Sequence, residues 1–279
     1  MAQEYPADRF PQIRFFIGDV RDEERLNMAL RNVNYVVHAA ALKHVPIAEY
    51  NPIECVKTNI YGTQALITAS IKNKVEKIIG ISTDKACNPI NLYGATKLCA
   101  EKILINANYL SGKNGPIFGV VRYGNVISSR GSIIPYIKEL IKIKSKFIPL
   151  TDMEMTRFFL PIDTAIKFVF TSLENLSGGE IFVPKMFSIR IYDLIKLINK
   201  KIKIKIIGKR PGEKINETLI SIDESENTKE YKNFYIIYPS VLLSLKKRAK
   251  LPKNFSFSSN QSKTLNPNFF EKIIASKKI

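Results

Sequence analysis

The sequence places a carboxylate, two amines, a phenol and a hydroxyl close together in two short segments, residues 82–85 and 93–97. Both segments follow an apolar run, residues 77–81, which is typical of a buried strand. In an α/β sheet, ligands bind beyond the carboxyl ends of the strands. The two segments therefore predict an active site in which Asp84, Lys85 and Tyr93 move protons on a bound small molecule.

Tyr93 and Lys97 stand four residues apart on a helix predicted over residues 92–110, so their side chains face the same way. An ammonium beside a phenol favours the phenolate and lowers the pKa of that phenol. The pair thus predicts a phenolate that takes a hydroxyl proton while a hydride leaves the same carbon. Surface pairs share this spacing, and the position of the pair one short loop after Asp84 and Lys85 favours catalysis.

Asp84 and Lys85 are adjacent, and in an extended loop their side chains point in different directions. They can therefore serve two different substrate atoms. A solvated turn pair is the alternative. The apolar residues before the pair, together with Pro89 and Gly94 after it, favour a shaped site over an open turn.

Strands and helices alternate around these segments. Strands are predicted at residues 14–20, 35–41, 77–81 and 118–124, and helices at residues 21–32, 56–67 and 92–110. Such alternation predicts an α/β fold with a Rossmann-like parallel sheet and crossover helices. Because the strands are apolar throughout, both faces of the sheet should be covered.

The rhythm changes after residue 130. Helices are predicted at residues 133–144, 163–173 and 191–200, and a strand at residues 203–207. We interpret residues 1–130 as a Rossmann-like domain, residues 131–240 as mainly a smaller α/β lobe, and residues 241–279 as a poorly ordered basic tail. A weak terminal helix is expected at residues 269–275.

Composition limits the class of protein. The chain has 279 residues, 45% of them apolar, and no apolar run of about 18 residues that would predict a membrane span. Its start is polar, and Cys55, Cys87 and Cys99 form neither a disulfide framework nor a zinc spacing, so we expect a reduced cytoplasmic protein without a metal site. The net charge of +18 is spread along the chain without a nucleic-acid-binding motif, which predicts no nucleic-acid partner and leaves attraction of an acidic substrate open.

Further candidate ligand residues follow other strands or lie in loops. The small residues 39–41 end a strand and would let a flat ring or ribose approach the backbone, although close helix packing uses alanine equally well. Lys43 is well placed for a diphosphate, and His44 is either a switchable acid or base or a plain hydrogen-bonding group. Asn125 offers a donor and an acceptor to a sugar. Three loops carry one arginine each, the natural bidentate partner of phosphate: Arg130, Arg157 and Arg210.

The motifs form a recognisable series. In chain order they are RFFIGDVRD, HAAALKHVPIAEYNP, TNIYGT, STDKACNPINLYGATK, VVRYGNVISSRGS, MTRFF, GGEIFVPK and RPGEK. The series resembles the inverting UDP-N-acetylglucosamine 4,6-dehydratases, which open pseudaminic acid biosynthesis and belong to the extended short-chain dehydrogenase/reductases. The resemblance runs over residues 14–239 and is faint beyond.

The resemblance implies a mechanism on UDP-N-acetylglucosamine. NADP takes hydride from C4, Tyr93 accepts the C4 hydroxyl proton, Lys85 removes the C5 proton, and Asp84 assists the loss of water from C6. Hydride returns to C6 and a proton to the opposite face of C5. We expect burial and Lys97 to lower the pKa of Lys85 so that it can act as a base. Retaining relatives carry Glu where Lys85 stands, and membrane-bound relatives usually carry Met where Tyr93 stands.

The resemblance also implies which residues bind each ligand and that the enzyme is a homo-oligomer. The cofactor would contact Asp19, Val20, Ala39, Tyr93, Lys97 and Val126. The UDP-sugar would contact Lys43, Asn125, Arg130, Arg157 and Arg210.

One departure leaves the function open. The family begins with a strand and a glycine-rich turn that holds the pyrophosphate, and this sequence contains no GxxGxxG motif before a helix. We therefore expect a Rossmann-like sheet that lacks its first strands, with exposed apolar edges. The chain is either this dehydratase with a truncated start or a non-catalytic remnant that still holds a UDP-sugar. A related UDP-sugar epimerase or retaining dehydratase is a further alternative.

Overall fold

The structure is a computed structural model, and it describes residues 5–6, 8–127, 129, 132–239, 251–252 and 254–263. The described helices are α1 (Glu23–Ala29), α2 (Val45–Tyr50), α3 (Pro52–Val56), α4 (Gly62–Lys72), α5 (Leu92–Leu110), α6 (Ile133–Lys142), α7 (Ile162–Asn175), α8 (Ile191–Ile198) and α9 (Ile222–Ser225). A π-helical turn, Lys57–Tyr61, joins α3 to α4, and a 3₁₀ turn, Asp84–Ala86, precedes α5.

The strands fall into one large sheet and three small ones. They are β1 (Tyr35–His38), β2 (Lys77–Thr83), β3 (Ile117–Tyr123), β4 (Asn125–Val126), β5 (Ile148–Leu150), β6 (Thr156–Leu160), β7 (Ile181–Pro184), β8 (Phe187–Arg190), β9 (Ile204–Ile206), β10 (Thr218–Ile220), β11 (Thr228–Glu230), β12 (Phe234–Ile237) and β13 (Phe257–Ser258). No helix in the described part of the chain is both long and apolar enough to cross a bilayer.

The large sheet has six strands in the order β1-β2-β3-β7-β12-β11. The first four are parallel, and β12 and β11 add antiparallel pairs at the far edge. Its central strands are buried because their side chains are apolar on both faces, as the sequence predicted. The predicted α/β fold with a parallel sheet is confirmed.

The strand predicted at residues 14–20 is wrong. These residues have no regular structure, and Ile17 is 91% exposed. Within the described residues, β1 pairs only with β2, so no neighbouring strand offers residues 14–20 a hydrogen-bonding edge. The apolar run alone did not predict a strand correctly here, because a strand forms only where a partner strand lies beside it.

The second packing unit is built around α6 and α8. Buried apolar residues of these helices and of β5, β6 and β8 form a core separate from that of the large sheet. However, β7, β11 and β12 return to the large sheet. The chain therefore crosses between the two units more than once after residue 131.

Part of the predicted tail is packed into the fold. β13 pairs with β10, and the buried Ser259 hydrogen-bonds Thr156 and the backbone of Glu217. This differs from the expectation of poor order, because the apolar Phe255 and Phe257 pack on the main core. The expected helix at residues 269–275 lies outside the described residues.

Helix α5 carries the candidate catalytic residue Tyr93 and the candidate cofactor residue Lys97, and it begins and ends where the sequence predicted. The Asn91 side chain accepts a hydrogen bond from the Gly94 backbone N–H at 2.8 Å and caps its first turn. A Cβ at Gly94 would lie 2.2 Å from the Lys85 carbonyl oxygen. The glycine therefore allows the start of α5 to approach the turn Asp84–Ala86 closely.

A buried ion cluster fixes α5 against β3 and the C-terminal region. The Arg122 guanidinium donates to both carboxylate oxygens of Glu101 on α5 and of Glu224 on α9, and to the Leu219 carbonyl oxygen. The distances lie between 2.7 and 3.0 Å. Because all of these partners are held by one rigid group, the cluster sets the position of the helix that carries Tyr93.

Candidate active site

The structure brings the three predicted catalytic residues together. Asp84 and Lys85 lie in the 3₁₀ turn at the carboxyl end of β2, and Tyr93 lies in the first turn of α5. Thr83 lies between them, because its hydroxyl donates to Asp84 Oδ1 at 3.0 Å and its side chain lowers the pKa of Tyr93 against the effect of burial. Asp84 Oδ1 therefore accepts hydrogen bonds from both the Thr83 hydroxyl and the Lys85 amine.

Two buried carboxylates flank the Lys85 amine. Lys85 Nζ donates to Asp84 Oδ1 at 3.0 Å and lies 3.4 Å from Glu217 Oε1. Burial lowers the pKa of Lys85, but the nearby Asp84 and Glu217 charges outweigh it and raise that pKa above its ordinary value. The expectation that burial and Lys97 make Lys85 a free amine is therefore wrong for this arrangement, in which Lys85 is an ammonium.

The Tyr93 phenol is also held in its protonated form. Burial raises the pKa of Tyr93, and the positive charge that opposes this rise is that of Lys85. The expected lowering by Lys97 is thus wrong, although the two residues do lie four apart on α5. Burial lowers the pKa of Lys97 to about 8, against the attraction of Glu101.

A cavity of about 610 Å³ opens beside the ammonium. Of the three predicted catalytic residues, Lys85 lines it, while Asp84 lies fully buried behind the wall. Asn125 and Arg210, predicted as sugar-nucleotide ligands, line the same cavity. Its size falls within the range of small-molecule sites.

Arg157 lines the cavity but has most of its donors engaged. Its guanidinium donates to the carbonyl oxygens of Thr156, Ile215 and Lys214 at 2.7 to 2.9 Å. Arg157 therefore also shapes the cavity wall by holding the loop before Glu217. Lys43 lies in the exposed loop after β1 and is not part of the cavity lining, and Arg130 lies outside the described residues.

The predicted cofactor residues lie on several elements of the sheet edge. Ala39 is exposed just beyond the carboxyl end of β1, and Val126 forms part of β4. Asp19 precedes α1 and is bonded to Arg21, whose hydrogen bonds lower the pKa of Asp19 to about 2. Val20 lies next to α4, since a Cβ at Gly62 would meet Val20 Cγ1 at 2.8 Å.

These residues fit part of a dinucleotide. Ala39 is small and exposed just beyond β1, and the buried Lys97 amine and the Tyr93 phenol of α5 are hydrogen-bond donors. They suit the nicotinamide-ribose half. Within the described ranges, no glycine-rich turn between a strand and a helix is available for the pyrophosphate.

Sequence reasoning missed Thr83 and Glu217 as members of the site. Thr83 was visible in the segment of residues 82–85 but received no role. Glu217 follows the RPGEK segment by three residues and belongs to no spacing pattern, so only the tertiary fold brings it to Lys85. The described residues contain no group of three or more His, Cys, Asp or Glu side chains arranged to hold a metal ion.

Comparisons with known proteins show the family of this chain. The family model described as polysaccharide biosynthesis protein matches residues 1–239. Over 263 residues the chain is 49% identical to a Campylobacter jejuni protein named UDP-N-acetylglucosamine 4,6-dehydratase (inverting), covering 90% of this chain and 79% of that protein. Over 231 residues it is 40% identical to a Rickettsia rickettsii protein named UDP-glucose 4-epimerase, covering 81% of this chain and 67% of that protein.

A solved structure supports the fold. Pen from Bacillus thuringiensis has a TM-score of 0.89 to this chain at 37% identity, covering 98% of this chain and 84% of the other. Together with the relatives, it confirms the resemblance drawn from the sequence motifs.

Proposed function

Because this chain belongs to the polysaccharide biosynthesis protein family, we propose that it is an NADP-dependent enzyme that dehydrates UDP-N-acetylglucosamine at C4–C6 and inverts C5. The product is a UDP-4-keto-6-deoxy-N-acetylhexosamine. The observation that carries this proposal is the connected array of Tyr93, Thr83, Asp84 and Lys85, with Lys85 at a cavity wall. The relative at 49% identity carries the same activity in its name, which supports the choice of substrate.

The cavity suits a sugar nucleotide. Arg210 supplies a positive charge for the diphosphate, and Asn125 supplies both a donor and an acceptor for the sugar. Arg157 adds positive charge to the wall, and Lys43 and Arg130 are proposed to complete the diphosphate end. The net charge of +18 also favours an acidic substrate.

The cofactor is proposed to lie along the sheet edge. Asp19, Val20, Ala39, Lys97 and Val126 would hold it. When bound, it would supply hydride chemistry, as an acceptor for C4 of the sugar and a donor for C6. The other chemical tasks fall to side chains of this chain.

Tyr93 takes the C4 hydroxyl proton. To do so, the phenol first passes its own proton through the Thr83 hydroxyl to Asp84, because Thr83 contacts both groups. Asp84 thereby becomes a carboxylic acid and Tyr93 a phenolate. The C4 hydroxyl proton then restores the phenol.

Lys85 and Asp84 carry out the elimination. Lys85, as the free amine, removes the C5 proton, and the protonated Asp84 donates to the C6 hydroxyl, which leaves as water. After hydride has returned to C6, water on the face opposite Lys85 gives a proton to C5, which inverts C5, while Lys85 keeps the proton that it took. The proton that Tyr93 took from C4 is the one that replaces the proton lost with water, so the site ends as it began.

A product assay tests this function. The 279-residue chain is incubated with NADP and UDP-N-acetylglucosamine in D₂O and followed by NMR. We expect a new C6 methyl signal and deuterium at C5. The C4 epimer as sole product would favour an epimerase, which is the activity in the name of the 40% identical relative. Substrate binding without turnover would favour a non-catalytic sugar-nucleotide binder.

The family resemblance supports a proposal on the compartment, the oligomeric state and the pathway of the enzyme. We expect a cytoplasmic homo-oligomer whose product opens pseudaminic acid-type nucleotide-sugar synthesis. Size-exclusion chromatography with light scattering would test the oligomeric state, and a C5-retained product would contradict the assignment to that pathway.

A further inference from the structure

In the proposed dehydration, the proton that Lys85 must lose before it acts as a base has no acceptor among Tyr93, Thr83 and Asp84. Lys85 must be a free amine to remove the C5 proton, yet in the structure two carboxylates hold it as an ammonium. Asp84 is already committed to the proton that leaves with water. Some other group must hold the Lys85 proton while the amine acts as base.

Glu217 is the group placed for this role. Its Oε1 lies 3.4 Å from Lys85 Nζ, its side chain is only 3% exposed, and both residues line the cavity. Its Oε2 is buried and has no hydrogen-bond partner. A buried carboxylate oxygen without a donor gains a bond when it is protonated or meets a ligand hydroxyl.

Two cations lie near the Glu217 carboxylate. Arg157 Nε lies 3.9 Å from Oε1 and Lys214 Nζ lies 3.9 Å from Oε2, both beyond hydrogen-bond distance. These cations stabilise the carboxylate less than direct bonds would. Burial raises the pKa of Glu217, against the attraction of Lys85, so the carboxyl group takes a proton more readily than an exposed one.

The backbone at Glu217 is fixed from the C-terminal segment. Its N–H donates to Ser259 Oγ at 3.0 Å, and its carbonyl oxygen accepts from the Ser259 N–H at 2.8 Å and from Ser258 Oγ at 3.2 Å. This anchoring keeps the carboxyl group beside Lys85. A proton acceptor must be held within hydrogen-bond reach of its donor, so the anchoring fits the role.

We propose that Glu217 accepts the proton that Lys85 releases, and so turns Lys85 from an ammonium into the base of the dehydration; this rests on the proposed function. One N–H bond of Lys85 breaks and one O–H bond forms on Glu217, with no other reactant. Lys85 then takes the C5 proton, keeps it and is an ammonium again. Water gives a proton to the opposite face of C5 after hydride transfer, and the proton on Glu217 finally passes to the hydroxide that is left.

The first test measures the Lys85–Glu217 contact without cofactor or turnover. The folded chain is labelled with a trace of acetic anhydride at several pH values, and modification of Lys85 is measured by peptide mass spectrometry. In Glu217→Gln, which keeps the shape and removes the charge, we expect the pKa of Lys85 to fall by about one unit or more. The exposed Glu226→Gln is the matched control and should leave it unchanged. An unshifted Lys85 in Glu217→Gln would overturn the proposal.

The second test follows deuterium entry at C5 and formation of the reduced cofactor at 340 nm. In Glu217→Gln we expect C5 exchange and kcat to fall by about 10²–10⁴-fold, while C4 oxidation continues. Glu217→Asp should keep more exchange than Glu217→Gln, and it serves as the test variant if the latter melts early. Wild-type C5 exchange in Glu217→Gln, or equal loss of C4 oxidation, would refute the role. An inactive wild-type chain would instead refute the proposed function.

Discussion

Two buried cations of this protein are each flanked by two carboxylates, and they differ in how completely their bonds are satisfied. Arg122 lies between Glu101 and Glu224, its side chain is 1% exposed, and it makes five hydrogen bonds. Lys85 lies between Asp84 and Glu217, and its side chain is 22% exposed. In this second cluster, Asp84 Oδ2 and Glu217 Oε2 have no hydrogen-bond partner.

The difference separates a structural cluster from a reactive one. A guanidinium does not lose its proton in proteins, and its planar donors match two carboxylates at once. The Arg122 cluster therefore does not transfer protons. An ammonium can release a proton, and unsatisfied carboxylate oxygens can receive one. The same set of charges therefore stabilises the fold at Arg122 and prepares proton transfer at Lys85.

The largest expected effect is a loss of activity when Lys85 in the cluster with Asp84 and Glu217 is replaced. Lys85→Ala removes the proposed base, so dehydration of UDP-N-acetylglucosamine should fall by about 10³-fold or more, measured by NMR of the product. Its melting temperature should change little by comparison. Lys57→Ala, at an exposed ion pair, is the control and should keep full activity. Full turnover by Lys85→Ala would end the distinction between the clusters.

Changes to the Arg122 cluster should have their largest effect on stability. Arg122→Met leaves Glu101 and Glu224 buried without their partner, and we expect the free energy of unfolding to fall by about 3–5 kcal/mol in urea titrations. Arg190→Met breaks an exposed pair with Asp193 and should cost at most about 1 kcal/mol. Equal costs for the two variants would mean that the Arg122 cluster contributes no special stability.

Acid should act on the two clusters with opposite sign. Burial raises the pKa of Glu224, but Arg122 outweighs it and holds that pKa below the ordinary 4.5. Its stabilisation is thus present above 4.5 and is lost as pH falls through the lowered value. The pKa of Glu217 is raised by burial, so its ionised form costs stability at neutral pH, and that cost disappears as pH falls through the raised value toward 4.5.

Urea titrations at several pH values measure both effects. Relative to Glu224→Gln, the wild-type protein should lose its advantage on acidification below about pH 4.5. Relative to Glu217→Gln, it should gain stability as the pH falls toward that value. Slopes of the same sign for both variants would contradict the difference drawn between the clusters.

The smallest expected effect concerns the segment that anchors Glu217. Ser259→Ala removes a buried hydroxyl that contacts Thr156 and the Glu217 backbone N–H, so we expect a loss of about 1–2 kcal/mol, measured by thermal unfolding. Ser256→Ala removes only an exposed hydrogen bond to Gln261 and should have almost no effect. A loss no greater than that of Ser256→Ala would show that the anchor does not hold β10 in place.

The sequence alone determined the local parts of the protein. Helix α5 begins and ends where its pattern predicts, with Asn91 as its cap in the structure, and Asp84, Lys85 and Tyr93 are close because one loop joins their elements. Local sequence sets these features through hydrogen bonds and side-chain spacing over a few residues. The long motifs also indicated the family.

The tertiary structure decided which charges meet. Glu217 reaches Lys85 from 132 positions further along the chain, and Glu224 reaches Arg122 across 102 positions. These contacts reversed the expected direction of the Lys85 pKa shift, and the predicted strand at residues 14–20 has no partner strand among the described residues. Electrostatic environment and strand pairing depend on groups that are distant in sequence, so they follow only once the chain has folded.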